Sequence, residues 1–274
     1  MVRLAVGQVP QPGDVESAVR SVAELALEAS SQRAEILLLP ECFLGGYGPH
    51  RIVSDPAAVV DGLRDPRLEP LRESAQRTDL QILVGAALRE KTGVSNALLW
   101  VGREGIVDVA YRKTHLWATE TEFFTPGTSL AIRESAGVRI GLGICYDAGF
   151  PEFTQTYAEA GVDVLAFSSA FAAGGEERRY WIYHPARALE TSAYVLVSNV
   201  LGSFDGREFV GGSGVWGPDG QILTNLGTAP GVAVVDLDPS KCQDMRAMTG
   251  YAVTRASLSP LSLTRINNAP VKGQ

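Results

Sequence analysis

The chain has 274 residues, of which 45% are hydrophobic and 20% are charged, so it is not a disordered, collagen-like or coiled-coil sequence. At this length roughly three quarters of the unfolded chain's surface can be buried, so a stable core needs neither disulfides nor a structural metal. The 24 Lys and Arg residues against 31 Asp and Glu residues give a net charge of −7, without a basic block. Because nucleic-acid binding needs clustered cations, we predict no nucleic-acid partner.

The amino-terminal segment and the cysteines indicate the compartment. Gln8 and Pro10 interrupt the first apolar residues before the core of a signal peptide could form, and the sequence contains no run of 18 apolar residues. We therefore predict no membrane span. Cys42, Cys145 and Cys242 are odd in number and widely spaced, which favours free thiols in a reducing, cytoplasmic compartment.

The first elements alternate between strand and helix. Residues 3–7 form a short apolar run that predicts a strand, and residues 15–29 place apolar side chains at helical spacing. Asp14 stands at the N-cap position of that helix. Residues 36–39 are continuously apolar, as in a strand covered on both faces, and Pro40 ends the run.

The alternation continues through most of the remaining sequence. Further runs typical of buried strands are residues 81–85, 97–101, 106–110, 138–144, 164–168, 194–198 and 232–237. Helices are predicted at residues 66–78, 151–160 and 177–191. Pro218-Asp219-Gly220 predicts a tight turn between two short strands at 214–216 and 221–223. No linker composition is present, so we predict one α/β domain over residues 1–256 and a carboxyl-terminal arm or tail over residues 257–274.

The segment at residues 138–152 contains the most specific chemical signal. Cys145 ends a predicted strand, the next four residues turn the chain, and Pro151 stands near the start of a helix. Such a turn exposes a nucleophile beside backbone N–H groups that can stabilise an oxyanion. The alternative is a small buried side chain, which is common for free cysteines. A catalytic thiol also needs a base or a cation, because few free thiols are ionised at pH 7.

Glu41 and Lys113 are candidates for that base and that cation. Each follows a predicted strand, although each could instead be an ordinary charge on a loop or on the surface. Open α/β sheets place their sites at the carboxyl ends of strands. The positions of Glu41, Lys113 and Cys145 at three such ends favour catalysis.

Other candidates are weaker. His115 could pair with the thiol, but the sequence next to it offers no evident Asn or Asp to orient the ring, and His184 is expected to pack near its helix. Cys42 is expected to pack and Cys242 to be a bystander. Residues 211–214 are Gly-rich but lack a Walker lysine, so a turn is the better interpretation. Four aromatic residues could line a pocket or belong to the core: Tyr47, Trp117, Phe171 and Trp181.

Three motifs in this order resemble the nitrilase, or carbon-nitrogen hydrolase, superfamily. They are Leu-Pro-Glu at 39–41 with Gly-Gly-Tyr at 45–47, Tyr-Arg-Lys-Thr-His-Leu at 111–116, and Gly-Ile-Cys-Tyr-Asp at 143–147 followed by Phe-Pro-Glu at 150–152. The resemblance covers nearly the whole chain apart from the tail. It implies a four-layer αββα sandwich and a homodimer or larger homo-oligomer.

The resemblance also implies site residues. Glu41 would be the general base, Lys113 the electrostatic stabiliser and Cys145 the nucleophile. Glu120 occupies the position of a second glutamate that orients the substrate amide and the lysine, although Glu122 is close enough to leave this assignment open.

Further predictions concern the substrate and the cofactor requirement. Substrate contacts are assigned to Tyr47, Tyr146, Ser169 and Ala170. The chemistry requires no metal or other cofactor, and the sequence contains no H-E-x-x-H or C-x-x-C motif.

Tyr146-Asp147 resembles the amidase-like branches, whereas true nitrilases usually carry Trp-Glu, so amide hydrolysis is the first choice. Residues 148–149 are Ala-Gly where relatives that bind carboxylates often present Arg, which favours neutral amides unless Arg178 or Arg179 substitutes. The open alternatives are a nitrilase, suggested by residues 43–47, an N-carbamoyl amide hydrolase, and a catalytically silent ligand-binding relative.

Overall fold

The structure, a computed structural model, describes residues 1–257 of the chain. Its strands are β1 (Val2–Gln8), β2 (Ile36–Leu38), β3 (Gln81–Glu90), β4 (Gly93–Val101), β5 (Val107–Arg112), β6 (Ile132–Ser135), β7 (Val138–Ile144), β8 (Val164–Ser169), β9 (Tyr194–Asn199), β10 (Leu201–Phe204), β11 (Arg207–Val210), β12 (Gly214–Trp216), β13 (Ile222–Asn225) and β14 (Gly231–Leu237). Its α-helices are α1 (Val15–Ser31), α2 (Pro49–Ser54), α3 (Glu69–Thr78), α4 (Pro151–Glu159), α5 (Gly175–Thr191), α6 (Pro239–Thr249) and α7 (Tyr251–Ser257).

Two six-stranded sheets lie at the centre. The first has the order β14-β1-β2-β3-β4-β5, and the second has the order β13-β12-β9-β8-β7-β6. In the first sheet β1, β2 and β3 are parallel, and β4 is antiparallel to both β3 and β5. The strands β2, β3 and β5 therefore run in the same direction. In the second sheet β7, β8 and β9 are parallel.

Alternate side chains of the first sheet belong to two different cores, because successive side chains of a strand point to opposite faces. Leu4 and Leu38 pack in a core shared with Ile140 of the second sheet. Ala5, on the other face of β1, packs in a core with α1 and α3. The helices α4 and α5 pack against the second sheet, where Tyr157 contributes to the shared core. The layers are thus helix, sheet, sheet and helix, and the αββα prediction is confirmed.

The first helix forms for the local reasons that the sequence indicates. Asp14 caps it by accepting a hydrogen bond from the Ser17 backbone N–H at 2.7 Å. Its apolar side chains recur at helical spacing and are buried against the first sheet. These two features hold α1 along the outside of β1.

The extents of several elements differ from the predictions. The strand β3 continues to Glu90 instead of ending at residue 85, and the helix predicted from residue 66 begins as a separate 3-10 turn at Pro66–Leu68. The elements β6, β10, β11, α2, α6 and α7 were not predicted. They are short or largely exposed, so their sequences carry little apolar periodicity.

The carboxyl-terminal division remains a prediction. The proposed boundary at residues 256–257 falls at the end of α7, and residues 258–274 of the arm lie outside the described part of the chain. Within residues 1–257, none of the helices combines the length and the apolar character needed to cross a bilayer.

Candidate active site

Glu41 and Lys113 reach the same edge of the first sheet. The strands β2 and β5 run in the same direction, and the segments that carry Glu41 and Lys113 leave their carboxyl ends. Cys145 follows β7 in the second sheet. The site therefore lies where chain segments from both sheets meet.

Hydrogen bonds between these segments fix the two sheets relative to each other. The Ser168 hydroxyl on β8 donates to the Leu39 carbonyl at 2.8 Å, and the Glu41 backbone N–H donates to the Ser169 carbonyl at 3.4 Å. The exit of β2 is thus tied to the end of β8, which is hydrogen-bonded to β7.

Lys113 is fully buried between two carboxylates. Its Nζ lies 2.7 Å from Glu41 Oε1 and 2.8 Å from Glu120 Oε2. Burial opposes the charge of the lysine, but the two neighbouring carboxylates raise its pKa well above the ordinary value. We conclude that Lys113 is an ammonium group in the resting site.

The two oxygens of Glu41 have different environments. Oε1 accepts hydrogen bonds from Lys113 Nζ and from Asn96 Nδ2, both at 2.7 Å. Oε2 is buried and has no hydrogen-bond partner among residues 1–257. Burial, reinforced by the charge of Glu120, raises the pKa of Glu41, while Lys113 and Asn96 oppose that rise. The carboxylate therefore keeps one oxygen available for a proton.

Glu120 differs because both of its oxygens are occupied. Oε1 accepts from the Tyr47 hydroxyl at 2.7 Å, and Oε2 accepts from the Trp117 backbone N–H at 2.6 Å as well as from Lys113. Glu122, the alternative left open by the sequence, is exposed. The geometry favours Glu120 as the group that holds the lysine.

Cys145 begins a 3-10 turn in a conformation unusual for a residue with a side chain. Its φ is 45°, in the left-handed region, directly after the end of β7. Burial raises the pKa of the Cys145 thiol well above its usual range, and the charge of Glu41 adds to this effect while Lys113 opposes it. The resting group is a protonated thiol, so it needs a base during the reaction.

Asp147 holds this turn and joins it to the loop of Lys113. Its Oδ2 accepts from the Ile144 backbone N–H and from the Tyr111 hydroxyl, each at 2.9 Å. Its Oδ1 accepts from the Thr114 hydroxyl and from the His115 backbone N–H, each at 3.1 Å. One buried carboxylate thus positions the segments that carry both Cys145 and Lys113.

The same contacts correct the expectation that His115 lacks an orienting acid. His115 Nδ1 lies 2.8 Å from Asp147 Oδ1, and the ring stacks on Phe150 at 3.9 Å. The sequence did not reveal this partner because Asp147 is 32 residues away along the chain. His184 is buried as expected, with a pKa lowered to about 3 by burial. Residues 1–257 contain no cluster of His, Cys, Asp or Glu side chains suited to a metal ion.

A narrow pocket opens onto the thiol. Its cavity volume is about 20 Å³, so only a small group fits beside the sulfur. The lining residues are Tyr47, Trp117, Cys145, Tyr146, Ala170, Phe171, Glu176, Arg179, Tyr183 and Arg207.

Three of the four residues predicted to contact the substrate line this pocket. Tyr47, Tyr146 and Ala170 lie on the pocket wall, but Ser169 does not, because its side chain is buried and its carbonyl accepts from Glu41. Of the other aromatic candidates, Trp117 and Phe171 line the pocket, whereas Trp181 is partly exposed and packs edge-on against Tyr180.

Sequence reasoning missed Asn96, Glu176, Tyr183 and Arg207. Asn96 stands one residue before the predicted strand at 97–101, so its place inside β4 was not recognised. Arg207 starts β11, and the Asp205-Gly206 pair before it is a hairpin signal that could have indicated this element.

Comparisons with known proteins agree with this fold and site. A family model described as carbon-nitrogen hydrolase matches residues 3–247. The omega-amidase NIT2 of Bos taurus is 28% identical over 256 residues, which cover 89% of this chain and 91% of that protein. An (R)-stereoselective amidase of Pseudomonas sp. is 30% identical over 236 residues, covering 84% of this chain and 82% of that protein.

Solved structures of an amidase from Nesterenkonia sp. AN1 are also similar. One of them shows Michael addition of acrylamide at the active site cysteine, with a TM-score of 0.79, 30% identity, and coverage of 92% of this chain and 100% of that one. Another is a complex with butyramide, with a TM-score of 0.78, 30% identity, and coverage of 94% of this chain and 97% of that one. Because the family model spans most of its length, the chain belongs to the carbon-nitrogen hydrolase family, within the nitrilase superfamily.

Proposed function

We propose that the protein hydrolyses a small primary amide to a carboxylic acid and ammonia through a thioester on Cys145. The observation that carries the proposal is the buried Lys113 ammonium, 2.7 Å from Glu41 and 2.8 Å from Glu120, in a site whose charges act on the thiol of Cys145. The similar amidase that forms a complex with butyramide supports a small amide as substrate.

In the first half of the reaction Glu41 acts as base and then as acid. Its free Oε2 takes the proton of the Cys145 thiol, and the sulfur forms a bond to the amide carbon. The carbonyl electrons move onto the oxygen, where the charge of Lys113 and the Tyr146 backbone N–H stabilise them. The carbon-nitrogen bond then breaks as Glu41 returns the proton to nitrogen, and ammonia leaves.

The second half of the reaction repeats these proton transfers, with water as the attacking group. Glu41, again a carboxylate, removes a proton from water while the oxygen of that water attacks the thioester carbon. The carbon-sulfur bond breaks, the acid leaves, and the proton on Glu41 returns to Cys145. Glu120 takes no proton in this scheme. Because both of its oxygens already accept hydrogen bonds, its function is to hold Lys113.

Mass spectrometry of the chain and of its proteolytic peptides tests the proposal directly. After incubation with butyramide we expect ammonia release and an added butyryl mass on the peptide that contains Cys145. Cys145→Ala should abolish both, and Lys113→Ala should slow turnover by at least about 10²-fold, as for the loss of an oxyanion donor. Cys242→Ala, which removes a thiol with a hydrogen bond to Asp163, is the matched control and should retain activity.

The same experiment distinguishes the alternatives. Turnover of butyronitrile without turnover of butyramide would indicate a nitrilase, and a carbamoyl mass from an N-carbamoyl compound would indicate that branch. An absence of adducts and of ammonia with the whole panel would contradict catalysis and favour a ligand-binding relative.

We also propose that the chain forms a homodimer through the outer face of α5. Ile182 and Leu189 lie seven residues apart on this helix and are 54% and 42% exposed. Large apolar side chains in such positions are typical of contact surfaces. Light scattering should give twice the chain mass, and Ile182→Asp with Leu189→Asp should reduce it to one chain mass. A monomeric parent chain would contradict the proposal.

A further inference from the structure

An ion pair lies at the outer rim of the pocket that opens onto the thiol. Tyr47, Ala170 and Phe171 line this pocket and are at most 5% exposed, so they form its buried base. Glu176 and Arg207 line the same pocket, but their side chains are 22% and 30% exposed. The carboxylate and the guanidinium therefore lie where the pocket meets solvent.

The two charged groups reach the rim from different elements. Glu176 lies in the first turn of α5, and Arg207 begins β11. Arg207 Nη2 lies 3.0 Å from Glu176 Oε1 and 3.2 Å from Oε2, so the guanidinium faces both oxygens of the carboxylate. The ion pair thus joins α5 to β11 at the mouth of the pocket.

Further contacts fix both members of the pair. Glu176 Oε2 also accepts a hydrogen bond from the Ala172 backbone N–H at 3.0 Å. The guanidinium of Arg207 lies 5.6 Å from the ring centre of Tyr47 and 5.4 Å from that of Phe209, which are distances typical of cation–π contacts. A chain that passed the pair would have to break these contacts.

The strand that carries Arg207 lies outside the two large sheets. The strands β10 and β11 form a two-stranded sheet of their own. Phe204, at the end of β10, packs against the segment that follows β2, so closely that a Cβ atom at Gly46 would overlap its ring. A change at Arg207 should therefore alter the rim without displacing the sheets that carry the proposed triad.

From this arrangement we infer that the ion pair between Glu176 and Arg207 sets the upper length of the acyl group, so that the substrate is the amide of a short-chain acid. The inference rests on the proposed amide hydrolysis and adds the two residues that determine its specificity. The acyl carbon must reach Cys145, where the cavity volume is only about 20 Å³, so a longer chain has to extend toward the rim. There it meets the ion pair.

Two effects of the pair oppose a longer chain. Its side chains occupy the space into which that chain would extend. Methylene groups packed on the pair would also remove water from both charges without providing a hydrogen bond in return. The cost of this desolvation offsets the free energy gained by burying the methylene groups. A short aliphatic amide ends before the rim, and it is one of the neutral amides that Ala148 and Gly149 favour.

The test compares butyramide with hexanamide, which differ only by two methylene groups. We expect kcat/KM of the parent enzyme to be at least about tenfold higher for butyramide. Arg207→Ala should raise the ratio of kcat/KM for hexanamide to kcat/KM for butyramide at least about tenfold, mainly through KM for hexanamide. The reason is that each of the two methylene groups that becomes buried contributes about fourfold.

Further variants distinguish the ion pair from a general effect on the structure. Glu176→Ala removes the partner on the other element and should shift the ratio in the same direction. The double variant should shift it by less than the product of the two single effects, because the two residues act as a unit. Arg207→Lys keeps the positive charge and should stay within about threefold of the parent ratio.

Glu177→Ala is the matched control, because Glu177 is the exposed neighbour of Glu176 and does not line the pocket. It should leave kcat/KM for both substrates unchanged within about twofold.

The outcomes separate this inference from the proposed function. Equal kcat/KM values of the parent enzyme for both amides, or a ratio unchanged by Arg207→Ala and Glu176→Ala, would overturn the length limit and leave amide hydrolysis standing. An enzyme inactive on every amide, with no acyl mass on Cys145, would overturn both.

Discussion

Asn96 gives the carboxylate of Glu41 its asymmetry. Its Nδ2 donates to Glu41 Oε1 at 2.7 Å, and its Oδ1 faces the Cys42 sulfur at 3.6 Å, which fixes the orientation of the amide. Cys42 is buried as expected, but it also contributes to this arrangement. We therefore propose that Asn96 is a positioning residue, which leaves Oε2 of Glu41 free to accept the proton in the proposed mechanism.

The pH profile of the variant Asn96→Leu should reveal this contribution. In the proposed mechanism Glu41 must be ionised to accept the thiol proton, so activity should fall as the pH drops through the raised pKa of Glu41. Asn96 stabilises the ionised form, and its loss raises the pKa of Glu41 further. The acid limb of kcat/KM should then move to higher pH. The fraction of ionised Glu41 at a fixed acidic pH should fall about tenfold or more, because a hydrogen bond to a charged group contributes about 1.5–3 kcal/mol.

Ser95→Ala is the control for this prediction. Ser95 directly precedes Asn96 on β4, but its hydroxyl donates to Glu90 and not to Glu41. Its profile should match that of the parent enzyme. An Asn96→Leu variant with activity reduced equally at every pH would indicate a purely structural role.

At the scale of residues, the sequence located the groups that directly follow predicted strands. Glu41, Lys113 and Cys145, which we propose as the triad, were selected in this way, because the end of an apolar run can be recognised without knowing how the strands pair. Asn96 could not be found, since it lies within β4 and reaches Glu41 only through the pairing of β4 with its neighbours. Arg207 depends on a hairpin whose four-residue strands are too short for a clear pattern.

At the scale of elements, β3 positions Glu41 by close packing of backbones. A Cβ atom at Gly85 would lie 2.4 Å from the Pro40 carbonyl oxygen, 2.6 Å from the Cys42 nitrogen and 2.7 Å from Glu41 Cα. All three are backbone atoms, which cannot move aside as the end of a side chain can. Only glycine allows the segment of Glu41 to lie this close to β3.

The variant Gly85→Ala should therefore displace Glu41. We expect a loss of about 1–3 kcal/mol in the free energy of unfolding from overpacking, together with a fall in kcat for butyramide. Chemical denaturation and steady-state kinetics would measure the two effects. The control is Gly13→Ala, whose added Cβ would meet its nearest neighbour, Arg51 Nη1, at 3.8 Å. A Gly85→Ala enzyme with the parent kcat would contradict this account.

Periodicity predicted the buried elements better than the exposed ones. The helix α1 has a capping residue and an apolar face, and β7 has the predicted bounds. By contrast, β6 has no side chain that is fully buried, and it forms because it pairs with β7 at the edge of the sheet. Its order comes from a neighbouring strand and not from its own composition.

At the scale of the whole molecule, both sheets depend on one core. Leu38 on β2 is 1% exposed and packs in the core that the first sheet shares with the second. Leu38→Ala should lower the free energy of unfolding by about 2–5 kcal/mol, through lost burial and the cavity left behind.

Because the sheets share this core, chemical denaturation of the full chain should show one cooperative transition for both the parent and the variant. Leu27→Ala, at a position 51% exposed on α1, is the control and should cost much less. Two separate transitions would show that the sheets unfold independently.

The division of the site between the sheets has a consequence for how activity responds to strain. Glu41 and Lys113 follow strands of the first sheet, and Cys145 follows a strand of the second. A small displacement of one sheet relative to the other would therefore separate the Glu41 carboxylate from the Cys145 sulfur, while the ion pair between Glu41 and Lys113 stays intact. The hydrogen bond from the Ser168 hydroxyl to the Leu39 carbonyl opposes that displacement. The turnover rate thereby reports how well the two sheets are aligned with each other. Pressure or dilute denaturant that weakens the contact between the two sheets should abolish activity while the secondary structure of the enzyme is still complete.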